Sequence, residues 1–141
     1  MQRLVLLLVI TGIGLALQGC ESARPFERVT WQLSELGGVG ITKVHEGQAA
    51  YLYFDDGPPQ RVSGSTGCNR LSGSYSLRGS GLTFGPLATT KMACADGMAR
   101  EQAFLAALAA TDGWRTVDRQ VLELLDERGE VLARFTAALP N

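Results

Sequence analysis

The residues of this chain that could do chemistry are few. There is one histidine, His45, and there are three cysteines, Cys20, Cys68 and Cys94. A serine hydrolase would need His45 as its base. It sits in the polar run Lys43-Val44-His45-Glu46-Gly47 with no nucleophile motif nearby, which reads as a surface loop. A cysteine nucleophile would need Cys68 or Cys94 unpaired, low in pKa and close to His45, and nothing in their spacing points that way. Zinc normally takes three or four Cys and His ligands, and this chain supplies no recognisable set of them. Asp55-Asp56-Gly57 begins like a calcium loop but lacks the later oxygens and the closing glutamate, so it reads as a turn. Ser63-Gly64-Ser65-Thr66-Gly67 is followed by no Gly-Lys-Ser/Thr and is no phosphate loop. Arg61 and Arg70 could bind an anion, against the plainer reading of solvated surface charge. The expectation is a protein that is not an enzyme, with no catalytic residues, no metal and no cofactor.

The elements that must position these residues are short strands. Val29 to Leu33 puts Val29, Trp31 and Leu33 on one face at period two. Tyr51 to Phe54 and Arg61 to Ser65 are the next strands. Tyr75 to Leu77 and Leu82 to Phe84 flank the hairpin signal Arg78-Gly79-Ser80-Gly81. One alanine-rich helix follows, with Asp96 able to cap it and Met98, Phe104, Leu105 and Leu108 near one stripe. Trp114 to Val117, Val121 to Leu125 and Val131 to Thr136 are the last strands. Strands, one helix, then strands argues α+β: a small, curved, mostly antiparallel sheet or partial barrel with one covering helix. Most aromatics alternate into its core, while Tyr51 and Tyr53 share a face opposite Phe54 that could turn either way. Seventeen glycines suit such a turn-rich fold, and 141 residues fit one domain. A formal net charge of −1 gives no reason to expect a nucleic-acid partner.

At the N-terminus, Arg3 precedes an uncharged apolar run from Leu4 to Leu17. As a helix it would span roughly 21 Å, short of a bilayer core of about 30 Å, and it has the length of a secretory signal. It ends in Leu17-Gln18-Gly19-Cys20, which resembles the bacterial lipobox, with Gln18 bulkier than the usual residue. That resemblance implies lipidation of Cys20 and divides the chain into a lipoprotein signal peptide (1–19), a tether (20–28) and a domain (29–138). The implied location is the cell envelope, with the domain facing the periplasm and the outer membrane favoured over the inner because Glu21, not aspartate, follows the cysteine. The alternative is an ordinary signal peptide cut nearby, with Cys20 left as a thiol.

The most informative stretch runs from Gly64 to Tyr75 and holds Gly67-Cys68-Asn69 and Gly73-Ser74-Tyr75. Thr90-Lys91-Met92-Ala93-Cys94 and Glu101-Gln102-Ala103-Phe104-Leu105 follow it. With Trp31-Gln32-Leu33 and a late pair around Leu122 and Phe135, this order is similar to the META domain family (HslJ-like), over roughly residues 30 to 137. Gly67 and Gly73 would permit bends or close approaches, and Asn69 would stabilise a bend through its amide. With Cys20 lipidated, Cys68 and Cys94 are the thiols left in an oxidising compartment and are expected to form a disulfide; two buried free thiols are the alternative. The resemblance implies a non-enzymatic envelope lipoprotein serving stress tolerance as an accessory or interaction module. Two other readings stand beside it: a small-ligand or lipid-binding domain using a cleft between sheet and helix, and an inhibitor of a periplasmic hydrolase presenting a rigid loop such as Ser63 to Ser72. The expected partners are the membrane, through Cys20, and an unknown envelope protein or ligand.

Overall fold

The computed structural model describes residues 24–41, 49–94 and 97–138. Cys20, His45 and the expected helix cap Asp96 lie outside them. Among the described residues, nine strands and one helix follow in the order β1 (Thr30–Leu36), β2 (Val39–Gly40), β3 (Ala50–Phe54), β4 (Arg61–Thr66), β5 (Arg70–Arg78), β6 (Gly81–Thr89), α1 (Met98–Ala109), β7 (Gly113–Val117), β8 (Val121–Leu125) and β9 (Val131–Ala137). Every strand pair is antiparallel, and neighbours in sequence are neighbours in the sheet from β3 to β9. β1 pairs with β3 on one side and β9 on the other, so the sheet curls into a ring with the two-residue β2 hanging from its edge. The weakest seam is β6 against β7, which share the single pair Gly81↔Gly113. Pro86, which has no N–H to donate, falls on the part of β6 that runs beyond that pair.

Period-two alternation sets the inside. Trp31 and Leu33 of β1, Leu52 and Phe54 of β3, Val62 of β4, Leu71 and Tyr75 of β5, and Leu122 and Leu124 of β8 are all buried. Between Gly73 and Tyr75 the register shifts because β6 carries an extra residue at Gly85-Pro86 opposite Ser74, while Tyr75 keeps the inner face by unbroken alternation from Leu71. Tyr51 and Tyr53 point outward, with Phe54 inside. The helix follows β6 and supplies Phe104 and Leu108 to the same core. Met98, expected on that stripe, is 58% exposed, because the first turn of α1 stands clear of the core. Gly97 is the N-cap residue, and no side chain among the described residues caps the helix.

The packed body begins earlier than the expected boundary at Val29. Residues Pro25 to Arg28, read as tether, form a turn that drives Phe26 into the core at 0% exposure. Phe26 meets Trp114 at a ring separation of 4.5 Å and Phe54 at 5.0 Å, both edge-to-face. Its carbonyl oxygen accepts a 2.7 Å hydrogen bond from the Trp31 indole N–H. Such edge contacts add about 0.5–1.5 kcal/mol each beyond the burial of area, enough to fix a segment broken by a proline.

Candidate functional site

The motifs separated in sequence meet at one end of the ring. Gly67 turns the chain between β4 and β5 with φ +93°, a conformation that L side chains rarely adopt. Around it the hydroxyl oxygen of Thr66 accepts the Asn69 N–H at 2.9 Å, and the Thr66 N–H donates to the Asn69 carbonyl at 2.9 Å. Both residues are buried, at 2% and 5% exposure. The Asn69 side chain then reaches outward from the turn. Its Oδ1 accepts from the Met92 N–H at 2.7 Å and from the Thr90 hydroxyl at 3.0 Å. Its Nδ2 donates to the Glu101 carboxylate at 2.9 and 3.0 Å and to the Met92 carbonyl at 3.4 Å. Thr90 also accepts the Arg70 N–H at 3.0 Å. One amide thus ties the β4–β5 turn to the segment after β6 and to the first turn of the helix.

The disulfide lies beside this clamp. Cys68 and Cys94 are bonded, with Cα atoms 5.9 Å apart across 26 positions. Gly97 packs on it: a Cβ there would lie 3.3 Å from Cys94 Cβ and 3.6 Å from Cys68 Cβ. Gly73 serves a different need. A Cβ there would lie 2.7 Å from the Pro86 carbonyl oxygen, so its bareness lets β5 and β6 close. Sequence reasoning identified Gly67, Asn69 and Gly73 but gave Asn69 only a local bend. The partners it missed, Thr90 and Glu101, were visible as motif members without an assigned contact.

Next to the clamp is a cleft of about 370 Å³ between the end of β6 and the first turns of α1. Met92, Met98 and Leu105 form its apolar part, and Lys91, Glu101 and Gln102 its polar rim. Met92 and Met98 are 62% and 58% exposed. The interior of the ring, by contrast, is filled by Trp31, Phe26, Phe54, Phe104 and Phe135. The tip of the Ser63 to Ser72 hairpin is fastened down by the buried Thr66 and Asn69 and does not project.

Two titratable groups shape the rest of the domain. Glu123 of β8 is buried on the outer face, bonded by Arg115 of β7 and by Arg134 of β9, whose Nη2 lies 2.7 Å from Glu123 Oε1. Arg134 continues to Glu35 of β1 at 2.7 Å. Burial alone would raise the Glu123 carboxyl, but the hydrogen bonds from Arg134 and Arg115 outweigh it and hold it below the usual glutamate range. The Tyr75 hydroxyl lies 2.6 Å from the Asp55 carbonyl oxygen and 2.9 Å from Glu27 Oε1; burial and then the Glu27 carboxylate push its phenol above the ordinary tyrosine range. Among the described residues, no group of three or more His, Cys, Asp and Glu side chains could hold a metal ion, and no helix is long and apolar enough to cross a membrane.

Comparison with known proteins agrees with this geometry. A family model described as the META domain matches residues 24–139. No curated protein gives a significant match. An NMR structure of a protein from Burkholderia xenovorans is similar at 28% identity and TM-score 0.63, covering 83% of this chain and 90% of that one. A second NMR structure is 23% identical with TM-score 0.59, covering 82% of this chain and 94% of the other. A crystal structure of a DUF4847 family protein from Bacteroides vulgatus shares the fold at 14% identity and TM-score 0.56, over 82% of this chain and 96% of that one.

Proposed function

Because the chain belongs to the META domain family, we propose that it is a non-enzymatic envelope lipoprotein, held on a membrane by acylated Cys20 and acting as an interaction module in stress tolerance. The observation that supports the non-enzymatic reading is the clamp itself. Asn69, Thr90 and Glu101 are engaged with one another, and Cys68 with Cys94, so the side chains with chemical potential are spent on holding the turn to the helix. The lipobox-like Leu17-Gln18-Gly19-Cys20 supports the anchor. The test is the intact mass of membrane-extracted protein, before and after reduction and alkylation. The expected mass is Cys20 to Asn141 plus acyl chains, with two cysteines alkylated only after reduction; an unlipidated mass would overturn the anchor. Crosslinking in intact cells under envelope stress then tests the module, which requires a reproducible partner and a fitness defect on deletion.

A second reading is favoured by the cleft beside α1, whose volume exceeds the roughly 300 Å³ expected of a small-ligand site. An apolar ligand would sit against Met92, Met98 and Leu105. A fluorescent fatty acid that binds the protein and is lost on Leu105→Gln would support this reading, and equal binding by both would refute it.

A further inference from the structure

The outward side of β3 to β6 differs in kind from the rest of the surface. Alternation along Arg61-Val62-Ser63-Gly64-Ser65-Thr66 and Arg70-Leu71-Ser72-Gly73-Ser74 sends Val62 and Leu71 inward and leaves arginine and serine outside. The exposed positions are Tyr51 on β3, Arg61 and Ser63 on β4, arginines at both ends of β5 with serines between, and Thr83, Pro86 and Ala88 on β6. None of these strand positions is a carboxylate; Asp55, just past β3, borders the face at Arg61, whose carbonyl accepts its N–H. The other side of the ring carries the opposite arrangement, in which Arg115, Glu123, Arg134 and Glu35 neutralise one another across four strands. Arg61, Arg70 and Arg78 make no ion pair with any described residue.

Their spacing is regular. Arg70 and Arg78 stand eight residues apart on β5, roughly 26 Å along the strand. Arg61 pairs with Ser74, midway between them on the adjacent strand. At the Arg70 end the surface sinks into a recess of about 510 Å³, with the half-exposed ring of Tyr51 on one side and the hydroxyls of Ser63, Ser72 and Thr90 around it. The far border is a second recess of about 410 Å³ shared by Arg78 and Asp112, the carboxylate that ends the patch.

We propose that this face binds an anionic glycan, a sugar polymer carrying carboxylate or phosphate groups. Each feature matches one part of such a ligand. A tyrosine ring offers a flat apolar face to the C–H side of a sugar, serine and threonine hydroxyls exchange hydrogen bonds with sugar hydroxyls, and guanidinium groups take the anions in forked geometry. The periodic arginines suit a repeating anion better than a single phosphate. A lipid surface fits less well, because the face has a recess where insertion would need projecting leucine or phenylalanine, and its exposed apolar side chains are Tyr51, Pro86 and Ala88. The inference deepens the interaction-module reading by naming a ligand class, and it rests on that reading for the envelope setting alone. Loss of the lipid anchor in the mass measurement would leave the binding result standing, and absence of binding would leave the anchor standing.

The test uses the full chain in neutral-headgroup detergent and a fluorescent oligogalacturonate, with binding read as anisotropy. The expected result is saturable binding that weakens with added salt, with no binding of a neutral maltooligosaccharide. Replacing Arg61, Arg70 and Arg78 together by glutamine should weaken binding by at least about tenfold, and Tyr51→Ala by about threefold. Arg128→Gln, in the exposed β8–β9 turn, should leave binding unchanged. Equal affinity for the neutral oligomer, an undiminished triple variant, or binding only to micelles containing phosphatidylglycerol would each overturn the proposal, the last by assigning the face to a membrane.

Discussion

An asparagine side chain offers two N–H donors and two acceptor lone pairs, and at position 69 all of them are used. Replacing it by alanine leaves the Met92 N–H, the Thr90 hydroxyl and the Glu101 carboxylate without that partner while the turn stays packed. Asn69→Ala should therefore cost about 2–4 kcal/mol, read as a lowered urea midpoint with an unchanged m-value. The two glycines flanking it fail for different reasons. Gly67→Ala is strained by the φ +93° backbone, which should cost about 1–2 kcal/mol. Gly73→Ala drives a methyl against the Pro86 carbonyl and the Leu87 side chain, and a backbone oxygen cannot move aside as a side chain can. Its cost should reach about 3 kcal/mol. Equal effects from the two glycine variants would mean that β6 gives way at Pro86.

The disulfide joins the β4–β5 turn to the segment after β6, and the Asn69 clamp joins that turn to the same segment and to the start of α1. Removing one leaves the other to hold the register. The Cys68→Ala/Cys94→Ala protein should accordingly stay folded by near-ultraviolet circular dichroism while losing about 3.5 kcal/mol in the chain-entropy account. The charge ladder across β7, β8, β9 and β1 makes a second prediction. Glu123 has a folded-state pKa below its unfolded value, so its contribution is present above about pH 4.3 and is lost as pH falls through the folded value. Glu123→Gln should cost about 1–3 kcal/mol at pH 7, less than a fully buried pair because both arginines reach water. In that variant the acid limb of stability against pH should flatten. These elements were unequally legible in the sequence. The helix and most strands followed from period and turn residues, and the cysteine pairing is expected on the premise that Cys20 is acylated. The burial of Glu123 did not, because alternation in Val121-Leu122-Glu123-Leu124-Leu125 puts the carboxylate outside. What covers it are arginines from strands whose register the sequence does not carry.

At the scale of the molecule, closure is the property that local patterns could not supply. Alternation assigned an inner face to each strand, but nothing in β1 says that it pairs with β9, and nothing in Pro25-Phe26 says that the ring enters the core. The β1–β9 pairs reach across about a hundred residues, and Phe26 reaches far along the chain to Phe54 and Trp114. Closure also distributes stability unevenly. β1 and β9 share five paired positions, whereas β6 and β7 share one, with α1 standing in the chain between them. The ring should open first at β6–β7, although the described chain ends lie near the β1–β9 seam. Native-state hydrogen exchange can see this. The Leu82 and Trp114 amides, bonded across the weak seam to the Asp112 and Ser80 carbonyls, should exchange through a local opening of small free energy that varies little with denaturant. Amides of the β1–β9 ladder should exchange only with global unfolding. If the two sets exchanged together, the ring would be one cooperative unit and the single pair at Gly81 and Gly113 no weakness. If the β1–β9 amides exchanged first, the Phe26 turn would be failing to hold β1 against the core.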